Sequence, residues 1–158
     1  MTRNIKILIG VASCLAVGFL SSIATQSSVE TWFPTLEKPF FNPPSWLFPP
    51  VWSLLYIMMG TAAGLVWDKI HSKPEEVKKA LIFFVIQLAL NALWSILFFG
   101  LKNPMLALIE IVLLWLLIYE TFAKFSRISK TAGNLFIPYL LWVTFATLLN
   151  ASIWWLNR

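Results

Sequence analysis

The sequence predicts an all-α integral membrane protein, a bundle of five transmembrane helices with a structured, proline- and tryptophan-rich first loop. Three observations predict it. Only 12% of the 158 residues are charged and 59% are hydrophobic, where a soluble domain carries about 25% charged residues. Residues 7–29, 39–67, 80–101 and 131–157 hold no charge at all, and 103–123 is interrupted only by Glu110 and Glu120. Each stretch reaches the ~20 residues a helix needs to cross ~30 Å of hydrocarbon, and a backbone in lipid must satisfy its own hydrogen bonds. Between the first two spans stands WFPTLEKPFFNPPSWLFPPVW, six prolines interleaved with aromatic rings. The whole chain, 1–158, reads as one domain, with spans near 5–27, 46–68, 80–101, 104–124 and 132–156.

In span one, Arg3 and Lys6 precede the apolar run as they would in a signal peptide. The run exceeds the usual apolar core of such a peptide, and Ala24-Thr25-Gln26 makes a poor cleavage site, so a retained span is expected. The single cysteine, Cys14, lies inside it. After this span the prolines forbid an ordinary helix over residues 34–44, since each lacks an N–H and biases its predecessor towards extended geometry. Span two is expected to start near Ser45 or Trp46 with Ser45 as cap, leaving Pro49 and Pro50 in its first turns. The segment reads either as a lid over the outer mouth of the bundle or as an aromatic belt at headgroup depth. Farther on, Trp52 and Tyr56 share a face. Gly60-Thr61-Ala62-Ala63-Gly64 fits the small-xxx-small pattern, read as close packing within the bundle ahead of a dimer seam.

Span three places Gln87, Asn91, Trp94 and Phe98 on one stripe by steps of four, three and four. Span four contains Glu110 in mid-membrane. Such a group costs about 2.5–3.5 kcal/mol on insertion scales and should face the interior or a cavity. Its turn neighbours are Leu106 and Leu114, so a protonated, hydrogen-bonded carboxyl is expected. Glu120 lies four residues before Lys124 and reads as a surface pair. Span five carries a stripe of Trp142, Ala146, Leu149, Asn150 and Ile153. Gln87 and Asn150 read as hydrogen bonds between helices, and Asn91 as either such a bond or a ligand contact.

Lysine and arginine asymmetry sets the orientation. Nine cations (Arg3, Lys6, Lys69, Lys73, Lys78, Lys79, Lys124, Arg127, Lys130) fall on the side of the N-terminus, and three (Lys38, Lys102, Arg158) on the other. The N-terminus is therefore expected in the cytoplasm, with the first loop and the C-terminus outside. The net charge of +5 is a topology signal, and no basic domain surface for nucleic acid is expected. The only histidine, His71, lies in a loop. No His, Cys or carboxylate cluster suggests a metal or a haem ligand pair, and no nucleophile has a partner base. No cofactor is expected.

Several motifs resemble a known family. Trp32-Phe33-Pro34, Leu36, Lys38-Pro39, Asn42-Pro43-Pro44, Trp46, Trp52 and Leu55-Tyr56 are similar to the signature of the translocator protein, or tryptophan-rich sensory protein, family. Gln87 to Asn91, Trp94-Ser95, Phe98-Phe99-Gly100, Pro138-Tyr139-Leu140, Trp142, Phe145-Ala146-Thr147 and Leu149-Asn150 continue the likeness over nearly the whole chain. The resemblance implies a five-helix bundle, a homodimer, and a first loop closing over a ligand cavity. It implies flat, largely apolar ligands: porphyrins such as protoporphyrin IX, isoquinoline or benzodiazepine drugs, and sterols. Vertebrate relatives carry a sterol-recognition tyrosine in the last span, where this chain reads Leu-Asn-Ala-Ser-Ile-Trp over 149–154. That departure argues against sterol transport and for a bacterial membrane.

Stripes, loop and resemblance together nominate Trp32, Phe33, Pro43, Pro44, Trp46, Trp52, Tyr56, Asn91, Trp94, Glu110, Trp142, Ala146 and Leu149 as ligand-binding. Three functions follow: a sensor in tetrapyrrole or stress regulation, a light-dependent porphyrin-degrading activity using Trp52 and Trp142, and a porphyrin or sterol transporter. Five spans with no inverted repeat and no intramembrane ion chain offer little machinery for coupled transport.

Overall fold

The computed structural model describes residues 1–158 as five long helices without strands: α1 (Arg3–Thr31), α2 (Phe48–Trp67), α3 (Pro74–Ser95), α4 (Pro104–Ile128) and α5 (Lys130–Leu156). All five are long and apolar enough to cross a membrane. The protein is an all-α integral membrane protein.

The helix ends have local causes. Thr2 accepts a hydrogen bond from Ile5 N at 3.3 Å and opens α1. Pro74 opens α3, where a missing N–H costs nothing, and Glu75 and Glu76 in its first turn suit the positive end of the helix dipole. Asn103 accepts from Leu106 N at 3.0 Å, and Pro104 starts α4. Ser129, extended at φ −149° and ψ 117°, ends α4 and caps α5 by accepting from Ala132 N at 3.2 Å. A single residue joins these two helices.

Ser45 does not cap α2. The first loop passes through short 3-10 turns at Phe33–Thr35 and Ser45–Leu47, and α2 begins only at Phe48 with Pro49 and Pro50 in its first turn. Pro44, with extended φ −59° and ψ 143°, occupies the position before the second turn and has no side chain able to cap it.

α1 packs against α2, α2 against α5, and α4 against both α5 and α3. The main core, with Met59, Phe84, Leu114, Phe125, Phe136 and Tyr139, lies among α2 to α5. Only Lys6, Cys14 and Thr25 of α1 are buried. α1 nevertheless meets α2 backbone to backbone at Gly10 and Gly60, and Ile7 lies against Gly64. A Cβ on Gly60 would stand 2.5 Å from Val11 Cα, so the small-residue pattern serves packing inside the bundle. The N-terminus of α1 and the α2–α3 and α4–α5 turns share one end, where Lys6 pairs with Asp68 at 3.5 Å and Lys73 Nζ reaches Arg127 O at 3.5 Å.

At the other end a smaller cluster of Phe33, Phe98, Ala107, Leu149 and Ile153 gathers beneath the first loop. There α3 continues into a wide π-helical turn, Ile96–Gly100. Turns of this kind recur at functional sites.

Candidate ligand-binding cavity

A cavity of about 550 Å³ lies between α1, α2, α5 and the loop end of α3. α2 contributes Trp52 and Tyr56, α3 contributes Asn91 and Trp94, α5 contributes Trp142, Ala146 and Leu149, and the first loop contributes Phe33. The helical stripes read from the sequence explain why these side chains converge. α1 closes the remaining side with Leu15, Gly18, Ser21, Ser22 and Thr25. Among its lining residues Phe19 and Ser22 of α1 and Pro49 and Ser53 of α2 are exposed, so the rim between α1 and α2 faces the lipid side.

Polar groups at the wall are tied to one another. Tyr56 Oη donates to Asn91 Oδ1 at 2.8 Å, Asn91 Nδ2 donates to Tyr139 Oη at 2.8 Å, and Tyr139 Oη donates to Gln87 Oε1 at 2.7 Å. This chain joins α2, α3 and α5. Trp94 Nε1 donates to Asn150 Oδ1 at 2.9 Å, and Asn150 Nδ2 donates to Pro104 O at 2.9 Å, fixing the indole plane. Asn91 thus serves the helix network while touching the cavity, and Gln87 and Asn150 bond between helices.

The aromatic rings are locked in turn. Trp94 stacks on Phe98 with centroids 5.2 Å apart, Phe48 meets Trp142 edge-on at 6.0 Å, and Trp52 lies 5.8 Å from Tyr56. The π-helical turn brings two consecutive rings, Phe98 and Phe99, to the same wall.

The loop divides in function. Phe33 is buried against Phe99 at 5.6 Å, and Lys38 Nζ sits 4.9 Å above its ring. Asn157, just past α5, clamps Glu37: its Oδ1 accepts from Glu37 N at 2.9 Å and its Nδ2 donates to Glu37 O at 2.8 Å. This is the pairing a neighbouring strand would make. Residues 32–38 are therefore latched to the end of α5. Phe40 is 100% exposed and Trp46 72% exposed. Buried Phe33 and the Asn157 clamp are the features a lid would use, and exposed Phe40 and Trp46 those a belt would use.

Five nominated residues do not reach the wall. Trp32 lies behind it, edge-on to Phe98 at 5.7 Å. Pro43 and Pro44 are absent from the lining, on the stretch that leads into the Ser45–Leu47 turn, and Trp46 points outward. Glu110 is buried in α4 away from the cavity, and its two carboxyl oxygens have no hydrogen-bond partner. The hydrogen-bonded carboxyl expected there is not formed: the neighbouring leucines of its own face offer no donor, and no other side chain reaches either oxygen. No three His, Cys, Asp or Glu side chains form a metal-holding group.

A membrane bundle of five helices, with an aromatic cavity under a proline-stiffened loop, is the class that this fold and site define. The chain belongs to the TspO/MBR family, whose model matches residues 10–156. It is 49% identical over 144 residues to the tryptophan-rich protein TspO of Chlorobaculum tepidum, covering 91% of this chain and 90% of that protein. The tryptophan-rich sensory protein of Cereibacter sphaeroides is 41% identical over 128 residues, 81% of this chain and 78% of its own length. The human translocator protein is 36% identical over 136 residues, 86% and 80% of the two chains.

Proposed function

We propose that the protein is a membrane receptor of the sensor type. It binds a flat, largely apolar ligand with one or two polar atoms, a porphyrin or related tetrapyrrole, under the first loop and acts in tetrapyrrole or stress regulation. The observation that carries this reading is the wall: three indoles, Trp52, Trp94 and Trp142, around about 550 Å³ with Tyr56, Asn91 and Asn150 among its polar groups. That volume falls within the range of small-molecule pockets, which combine apolar walls with a few polar anchors. Rings offer flat faces for stacking, and the name of the Cereibacter relative fits a sensory role. Titration with protoporphyrin IX, followed by tryptophan fluorescence, tests it. Saturable quenching reversed by an isoquinoline drug is expected; quenching that neither saturates nor reverses would defeat the reading.

A second reading, light-dependent breakdown of the bound porphyrin, is favoured by one observation: Trp52 and Trp142 share this cavity. Any such chemistry would draw on the porphyrin's own photochemistry. Illumination of the complex should then bleach the porphyrin in the wild type and spare it in Trp52→Phe/Trp142→Phe.

The nine-to-three cation asymmetry supports a cytoplasmic N-terminus, with the first loop outside. A cysteine at Ser72 should resist an impermeant reagent added to intact cells; labelling there would reverse the orientation. A homodimer goes with this reading. Its seam would avoid Gly60 and Gly64, which α1 already covers, and cross-linking in membranes tests for it.

A further inference from the structure

We infer that a second cavity, at the cation-rich end, binds the phosphate of an anionic phospholipid. It measures about 330 Å³ and lies among the start of α1, the end of α2 and the α4–α5 turn. This inference is independent of the ligand assigned to the larger cavity.

Two cations, Arg3 and Lys69, line it, and neither takes part in an ion pair. The protein's two ion pairs are Lys6 with Asp68 and Lys124 with Glu120. Asp68 is the one carboxylate in the wall, and Lys6 Nζ approaches its Oδ1 at 3.5 Å. With Asp68 matched by Lys6, the charges of Arg3 and Lys69 are left as an excess of positive charge around a concave space.

Hydroxyl groups complete the polar side. Thr131 Oγ1 makes no hydrogen bond within the protein, and Ser129 Oγ accepts from Ala132 N, which leaves its own O–H free to donate. Guanidinium, ammonium and hydroxyl donors around one space suit phosphate oxygens, to which charge-assisted bonds are the strong ones.

The opposite side of the cavity is aliphatic, formed by Ile7 and Leu65, where the apolar spans of α1 and α2 begin. A free phosphate has no use for that surface. A phosphodiester at the membrane boundary would rest its glycerol and first acyl carbons on it, and basic pockets between spans on the positive face suit anionic headgroups.

Native mass spectrometry tests this with the full chain in nanodiscs of phosphatidylcholine and phosphatidylglycerol. Wild type should retain one phosphatidylglycerol more tightly, by about tenfold or more, than Arg3→Gln/Lys69→Gln, given roughly 1 kcal/mol per cation near the surface. Lys38→Gln/Lys102→Gln removes equal charge from the other face and should retain it as wild type does. Equal retention by wild type and Arg3→Gln/Lys69→Gln would overturn the proposal. Loss of retention in both double variants would also overturn it, because net charge alone would then explain binding. A third arm adds soluble glycerol phosphate in a phosphatidylcholine-only disc. If that anion alone distinguished wild type from the variant, the pocket would belong to a soluble phosphate and the lipid assignment would fall.

Discussion

The same two helices, α1 and α2, behave differently in the two halves of the membrane. Towards the cation-rich end Gly10 and Gly60 meet backbone to backbone, and Gly64 lets Ile7 lie directly against α2. At the loop end they part around Trp52, Tyr56 and Phe48, and Ser21, Ser22 and Thr25 of α1 face a cavity. Where glycines meet, the two helices close backbone on backbone, and the smaller cavity opens only past Gly64, at Leu65 to Lys69. Where rigid rings are braced by one another and by hydrogen bonds, the rings hold space open. Helix association in lipid lacks a hydrophobic driving force between helices and relies on such close packing, so the closed half anchors α1 and the open half is free to receive a ligand.

The closed half should break most severely. Gly60→Val forces atoms into α1 at Val11, a backbone contact that no rotamer relieves. Overpacking costs about 1–3 kcal/mol even where side chains adjust, so about 3 kcal/mol is expected, read as a fall in the melting temperature of the detergent-solubilised protein. Gly60→Ala should cost less. An unaltered melting temperature for Gly60→Val would mean that α1 and α2 are not joined there.

The open half should respond in binding ahead of stability. Trp142→Ala removes a half-buried indole held by Phe48 and Phe145. A hot-spot aromatic is worth about 2 kcal/mol, roughly thirtyfold in Kd for protoporphyrin IX, measured by fluorescence titration. A weaker effect belongs to Asn157→Ala, which frees both backbone groups of Glu37. Net hydrogen-bond values of about 0.5–1.5 kcal/mol give about tenfold faster porphyrin dissociation by stopped flow, with association also faster. The smallest effect is expected for Pro43→Gly/Pro44→Gly. These prolines sit off the wall and act by limiting the loop's unfolded freedom, about 0.4–1 kcal/mol each. Dissociation should quicken by about fourfold, and an unchanged rate would show that Phe33 and the Asn157 clamp alone hold the cover.

Much of the open half was legible because a helix has a fixed period. Trp52 with Tyr56, Asn91 with Trp94, and Trp142 with Ala146 and Leu149 each share a stripe, and the cavity is where those stripes meet. The α1 wall was not legible. Gly18, Ser21, Ser22 and Thr25 sit among small and apolar residues on all sides, so no stripe marks the face. Composition identified the loop as stiff and aromatic, yet which rings turn inward depends on its two 3-10 turns. Hence Phe33 lines the cavity while its neighbour Trp32 lies behind and Trp46 faces out. Asn157 was unreadable for another reason: its partner Glu37 is 120 residues away. The π-helical turn that delivers both Phe98 and Phe99 breaks the very period on which stripe reading rests. The packing role of Gly60 and Gly64 followed from their spacing, but the partner helix did not.

The central claim is that the ligand occupies the open half, between α5 and the α1–α2 rim. Ala146 lines that space, whereas Ser72 lies in the α2–α3 turn at the far end. Maleimide labelling of Ala146→Cys and of Ser72→Cys, each in a Cys14→Ser background, is compared with and without saturating protoporphyrin IX. Titration first establishes that both variants still bind it. The account predicts that the porphyrin protects the cysteine at 146 and leaves that at 72 fully reactive. Undiminished labelling at 146 under saturating ligand would contradict it.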